Sequence, residues 1–270
     1  MQDPTRPIPW ANFLGQAWGK RFPVDVRTIA LEYSERFADS IKTIKAAEID
    51  TFEGALCPLP KAGKWAILYN PSIASPGRIN FTLAHELGHY LCHRTLNPAG
   101  FECGQQGILG FGDDEAMRQI EQEADTFASY LLMPIDDYRE QVGRSAMSLE
   151  LLNHAADRYG VSRTAAAIKW LDFTTECAAI VVATNGFVLW GWRSRSAKRR
   201  RIFYEKGMEL PPASLATNPA LMVGELGTLH NRGVWHPRCE VREMAIFADS
   251  YEMTISLLIF GEEVWTEVED

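Results

Sequence analysis

Apolar and polar positions along the chain follow two periods, one helical and one extended. Between Asp25 and Ala38 the residues Val26, Ile29, Ala30, Tyr33 and Phe37 recur along one helix face, which predicts a helix there. Lys64-Trp65-Ala66-Ile67-Leu68-Tyr69 is a short apolar run closed by Asn70-Pro71 and predicts a strand. A helix is predicted over 79–92 and a glycine-containing loop over 94–114. A second helix follows over 115–132, with Ile120, Ala124, Phe127, Ala128 and Leu131 on its apolar stripe and Met133-Pro134 as its stop. Ser148 and Ser162 sit at N-cap positions of two shorter helices, running to Tyr159 and to about Leu171 and separated by Gly160. This pair has the outline of a helix-turn-helix. Residues 41–56 read as strand or turn, and 1–20 match no template.

The texture changes after Thr174. Runs 178–183 and 187–192 predict two strands joined by a hairpin turn at Asn185-Gly186. Residues 202–206 and 253–260 are also strand-like. Helices in the first part and strands in the last give an α+β fold class, with a boundary near 175 and a mixed α/β domain over 175–270.

Composition narrows the functional classes. The 270 residues carry a formal net charge of −8, which argues against nucleic acid as the main partner. The strongest basic run, Arg193 to Arg201, could attract an acidic partner, but its expected form is a solvated hairpin tip between two strands. Five cysteines without C-x-x-C spacing do not form a disulfide framework and fit a reducing compartment. The first residues lack a signal-peptide apolar core, and no run of apolar residues is long enough to span a membrane. The expectation is a cytoplasmic protein with no membrane partner.

The chemistry concentrates in His85-Glu86-Leu87-Gly88-His89. On a helix, residues four apart lie ~40° apart with ~6 Å of rise, so two imidazoles at that spacing reach one ion. Glu86 projects toward the same cleft, where it can take a proton from a water that zinc has made acidic. A third ligand is required. His93 continues the i+4 series, yet ~12 Å of axial separation from His85 prevents both from binding one ion with His89 between them. His93 is therefore expected to support a ligand, not to be one. The second helix offers Glu121, Glu123 and Asp125. Glu121 and Asp125 share a face, and an Asp that holds a ligand histidine by its other ring nitrogen is a common arrangement. That pairing favours Glu121 as ligand with Asp125 behind a histidine, and leaves Glu123 as the rival ligand. Cys92 and Cys103 are weaker alternatives. The run Trp65, Ile67, Tyr69 is a possible strand against which an extended substrate could pair.

Phe81-Thr82-Leu83-Ala84-His85-Glu86-Leu87-Gly88-His89, followed by Glu121-x-Glu123-Ala124-Asp125-x-Phe127-Ala128-x-x-Leu131-Leu132-Met133-Pro134, resembles the ImmA/IrrE family of zinc metallopeptidases. The resemblance covers about residues 25–172. It implies a small zincin-like core over 1–145, a helical segment over 146–174, and a C-terminal domain of sensor-like or substrate-recognition type. It also implies one zinc ion per chain, held by His85, His89 and Glu121, with Glu86 as catalytic base. The implied substrate is a helix-turn-helix transcriptional repressor, cut in a stress-response or mobile-element circuit. No N-terminal DNA-binding domain of the kind some members carry is recognised, and direct DNA binding is not expected. Two alternatives stand beside the enzyme: a regulator that binds a transcription factor without cutting it, and a metal-stabilised ligand sensor.

Overall fold

The computed structural model describes residues 3–48, 52–103, 115–143, 145–218, 224–248 and 253–263. The chain divides into two compact units. One holds the N-terminal residues through Gly143 together with Ala155–Ser162, and the other holds the remainder. With eight helices and two sheets among the described residues, the class is α+β. No described helix is long and apolar enough to cross a membrane.

In the first unit, helices α1 (Pro7–Trp18) and α2 (Val26–Ser34) precede strands β1 (Ile41–Ala46), β2 (Gly54–Leu59) and β3 (Lys64–Tyr69). Helix α3 (Pro76–Cys92), strand β4 (Phe101–Cys103), helix α4 (Glu115–Leu132) and helix α5 (Ile135–Val142) follow. Asp25 caps α2 by accepting from Thr28 N at 3.1 Å. Helix α3 begins three residues earlier than the sequence predicts. Ser75 Oγ accepts from Arg78 N at 3.3 Å, and Pro76 occupies the first turn, where its missing N–H has no bond to make. The sheet order is β1-β3-β2-β4, with β1 parallel to β3 and the other pairs antiparallel. Helix α3 packs on β2 and β3, and α4 packs on α3. Helix α3 is therefore covered on opposite sides, and every residue from Thr82 to Leu91 is buried.

Strand β3 cannot be the substrate strand that its sequence suggests. Its whole length pairs with β1 on one side and β2 on the other, so Trp65, Ile67 and Tyr69 offer no free backbone edge. An isolated apolar run reveals a strand but not the number of its neighbours.

Helix α6 (Leu149–Tyr159) crosses the boundary between the units. Its last residues are tied within the first unit. Arg158 donates twice to the Asp137 carboxylate, at 3.0 Å each, and the Tyr159 hydroxyl donates to it at 2.7 Å. Helix α7 (Arg163–Phe173) belongs to the second unit. The helical pair expected over 146–174 is thus shared between the two units.

The second unit is built on the antiparallel sheet β6-β5-β9-β8-β7. These strands are β5 (Ala178–Thr184), β6 (Phe187–Arg193), β7 (Thr228–His230), β8 (Val241–Ala248) and β9 (Met253–Phe260). Asn185 and Gly186 both adopt positive φ, +50° and +81°, as the two-residue hairpin turn requires. The basic run departs from expectation. Ser194 Oγ accepts from Ala197 N and caps a short helix α8 (Arg195–Arg199), so the run closes β6 with a helical turn. Residues 202–206 form no strand, so there is no second strand for a hairpin tip to join. Ala179, Val181, Val188, Val241, Leu258 and Phe260 build the apolar core of this unit, with Ile202, Leu210 and Trp235 packed among them.

One carboxylate fastens that unit. Glu243 on β8 is fully buried and accepts from Leu215 N (2.8 Å), Trp235 Nε1 (2.9 Å) and Ser256 Oγ (2.6 Å). His230 Nε2 lies 2.8 Å from the same carboxylate. Removing the acceptor strands several buried donors, which costs about 3 kcal/mol. Glu243→Ala should lower the urea midpoint of the second unit accordingly; an unchanged midpoint contradicts this role.

Candidate metal centre

The site lies on the facing sides of α3 and α4. Gly88 permits their close approach: a Cβ there would press on Phe127 Cδ1 at 3.0 Å. Ala124 and Ala128 add small side chains on α4, and both are fully buried. The close approach lets Glu121 reach across to the histidines. His85 Nε2 lies 3.2 Å from Glu121 Oε2, and His89 Nε2 lies 3.5 Å from Glu121 Oε1. The two Nε2 atoms are 2.9 Å apart. One donor atom from each of the three residues falls within a 4.8 Å group, the one metal-ligand cluster found among the described residues.

The far side of each imidazole is also held. His85 Nδ1 meets Asp125 Oδ1 at 2.9 Å, and His89 Nδ1 meets His93 Nδ1 at 3.1 Å. The Phe101 ring stacks on His89, with centroids 4.3 Å apart and planes 11° apart. His93 therefore touches the edge of His89 opposite its Nε2. Glu123 stays outside the ligand group, because its Oε2 is 3.1 Å from His93 Nε2. Cys92 also stays outside the ligand group, and burial, helped by nearby Glu123, pushes its thiol up to about 12. The Cys103 side chain lies outside the described residues.

Glu86 is fully buried and faces Gly54 at the start of β2. A Cβ on Gly54 would sit 2.8 Å from Glu86 Oε1 and would also clash with Thr82. The missing side chain at 54 thus leaves the space that the carboxylate occupies. Arg78 of α3 holds Glu53 with two hydrogen bonds, one at 2.8 Å, and so fixes the chain just before Gly54. Sequence reasoning missed Gly54, whose only signal is a glycine opening a strand.

The donor set suits a divalent ion. Two imidazole nitrogens and a carboxylate oxygen converge, and each histidine has a partner on its other nitrogen, as three-ligand catalytic zinc sites have. Burial pulls the His89 pKa down to about 4, which favours the neutral form that binds metal. Burial opposes charge on Glu121, but hydrogen bonds with His85 and His89 win and hold its carboxyl well below the usual range.

Residues 43–171 match the model of the IrrE N-terminal-like domain, Peptidase_M78. That segment is similar to this family and contains all the site residues above. No curated protein matches the chain. Among solved structures it resembles a Mycobacterium tuberculosis transcriptional regulator at 14% identity. That match covers 93% of this chain and 74% of the regulator with a TM-score of 0.53, a likeness of fold.

These charge states set an acid limit on the metal-free protein. An unfolded His89 protonates near 6.5, whereas the folded one resists until about 4. Between those values the unfolded chain binds a proton that the folded chain refuses, so stability falls with pH by roughly 1 kcal/mol per unit. Glu121, depressed in the folded state, continues the loss below its unfolded value of 4.5. Urea unfolding of chelator-treated protein should show a lower midpoint at pH 5 than at pH 7; equal midpoints contradict the burial of a neutral His89.

Proposed function

We propose that this chain is a zinc-dependent, site-specific endopeptidase. The observation that carries the reading is the convergence of His85, His89 and Glu121 beside the buried Glu86 carboxylate. A zinc ion in this donor set would polarise the scissile carbonyl and acidify a water molecule. His85, held by Asp125, and His89, held by His93, turn their Nε2 atoms inward, where they would meet the ion. Glu86, in the space left by Gly54, takes the proton of the attacking water and passes it to the leaving amine.

The place for an extended substrate moves from β3 to β4. Strand β4 is the sheet edge next to the site, with Phe101 against His89. Among the described residues its outer side pairs with no strand, so it can accept a peptide backbone. A helix-turn-helix repressor as substrate, in a stress-response or mobile-element circuit, is the reading that the family resemblance supports. The acidic chain, with Cys92, Cys177 and Cys239 in no disulfide among the described residues, supports a cytoplasmic setting. Ligand sensing is a second reading, favoured by a cavity of about 320 Å³ in the second unit, lined by Ile180, Gly191, Arg193, Phe203, Tyr204 and Glu205.

Co-expression with candidate repressors tests the enzyme directly. The parent chain should cleave one of them, and Glu86→Gln should lower the rate at least ~100-fold while still binding zinc. Glu121→Ala should lose stoichiometric zinc. Cleavage that persists in Glu86→Gln sinks the mechanism.

A further inference from the structure

Beyond the ligands runs a chain of polar contacts that ends at the protein surface. His89 Nδ1 is 3.1 Å from His93 Nδ1, and His93 Nε2 is 3.1 Å from Glu123 Oε2. Gln119 Nε2 donates to Glu123 Oε1 at 3.0 Å from one turn earlier on α4. Both histidines are buried, at 0% and 2% exposure, whereas the Glu123 side chain is 36% exposed. No ordinary ligand arrangement requires the third histidine or the surface acid.

The direction of these contacts follows from donor chemistry. An ionised carboxylate can only accept, so His93 must carry its proton on Nε2. A neutral imidazole with a proton on Nε2 presents a lone pair at Nδ1. His93 Nδ1 therefore accepts from His89 Nδ1, which places the His89 proton there. With an ion in the centre, the remaining nitrogen of His89, Nε2, would then be the lone pair, and it is the atom that faces His85 and Glu121. Reversing any bond would put a proton on His89 Nε2 and close that position to a metal.

We propose that Glu123, acting through His93, is a positioning residue that fixes the His89 tautomer and so sets the affinity of the metal centre. His93 is the relay, and Phe101 is the wall stacked parallel on the His89 ring. Asp125 does the same for His85 directly, at 2.9 Å. The two ligand histidines are thus oriented by two acids of one helix, one acting at first hand and one through an intermediate imidazole. The inference rests on the metal reading above but makes a separate claim, that position 123 matters without touching the ion.

The test reads zinc binding and proton location, not peptide cleavage. Zinc affinity, measured by chelator competition, should fall about tenfold or more in Glu123→Ala. Glu123→Gln keeps an accepting oxygen and should recover part of that loss. His93→Phe should lose at least as much as Glu123→Ala, while Glu123→Ala, at a half-exposed site, keeps the test valid if His93→Phe fails to fold. Nitrogen-15 NMR of the zinc-loaded parent should show His93 protonated on Nε2 alone and His89 on Nδ1 alone. A Glu123→Ala protein with parental affinity, or a His93 proton on Nδ1, overturns the relay and leaves the three-ligand centre standing. A parent chain that binds no zinc overturns both.

Discussion

The site depends on how closely α3 and α4 approach. At Gly88 the two helices meet closely: a Cβ there would lie 3.0 Å from Phe127 Cδ1, directly opposite. That contact sits between His85 and His89 on one helix and about one and two-thirds turns beyond Glu121 on the other. It brings a carboxylate of α4 within 3.2 to 3.5 Å of two imidazoles of α3. A larger residue at 88 would press on Phe127 at the contact that sets the spacing of the ligands, although every ligand would remain in the sequence. The H-E-x-x-H helix is therefore half of a device whose other half is the packing of a second helix.

Such packing places polar groups in an apolar setting, and the arrangement around them limits the penalty. Each histidine is engaged on both ring nitrogens, and Glu121 is engaged by both histidines. Buried polar groups are tolerable only when satisfied in this way. An ion held by His85, His89 and Glu121 would add its binding free energy to the folding of the first unit.

Much of this was legible in the sequence because it rests on helical phase. Helix α4 spans the residues that its apolar stripe predicts, and α3 differs only by its capped first turn. Phase alone put Glu121 and Asp125 on one face and separated Glu123 from them. Other features were hidden for physical reasons. Helix α1 escaped notice because Pro7 and Pro9 sit at its start, where they read as breakers although the first turn tolerates them. Strand pairing is a property of distant segments, so the covered edges of β3, and the edge of β4 that pairs with no strand among the described residues, could not be read locally. Gly54 and the Glu123–His93 contact join residues 30 or more positions apart, and their meaning appears only when α3 is laid against its neighbours.

X-ray absorption at the zinc edge of the purified protein tests the central claim most directly. The account predicts a first shell of nitrogen and oxygen only, at about 2.0–2.2 Å, with the outer-shell signature of two imidazoles. A sulfur shell near ~2.3 Å would show that a cysteine, not Glu121, completes the site, and would contradict the account.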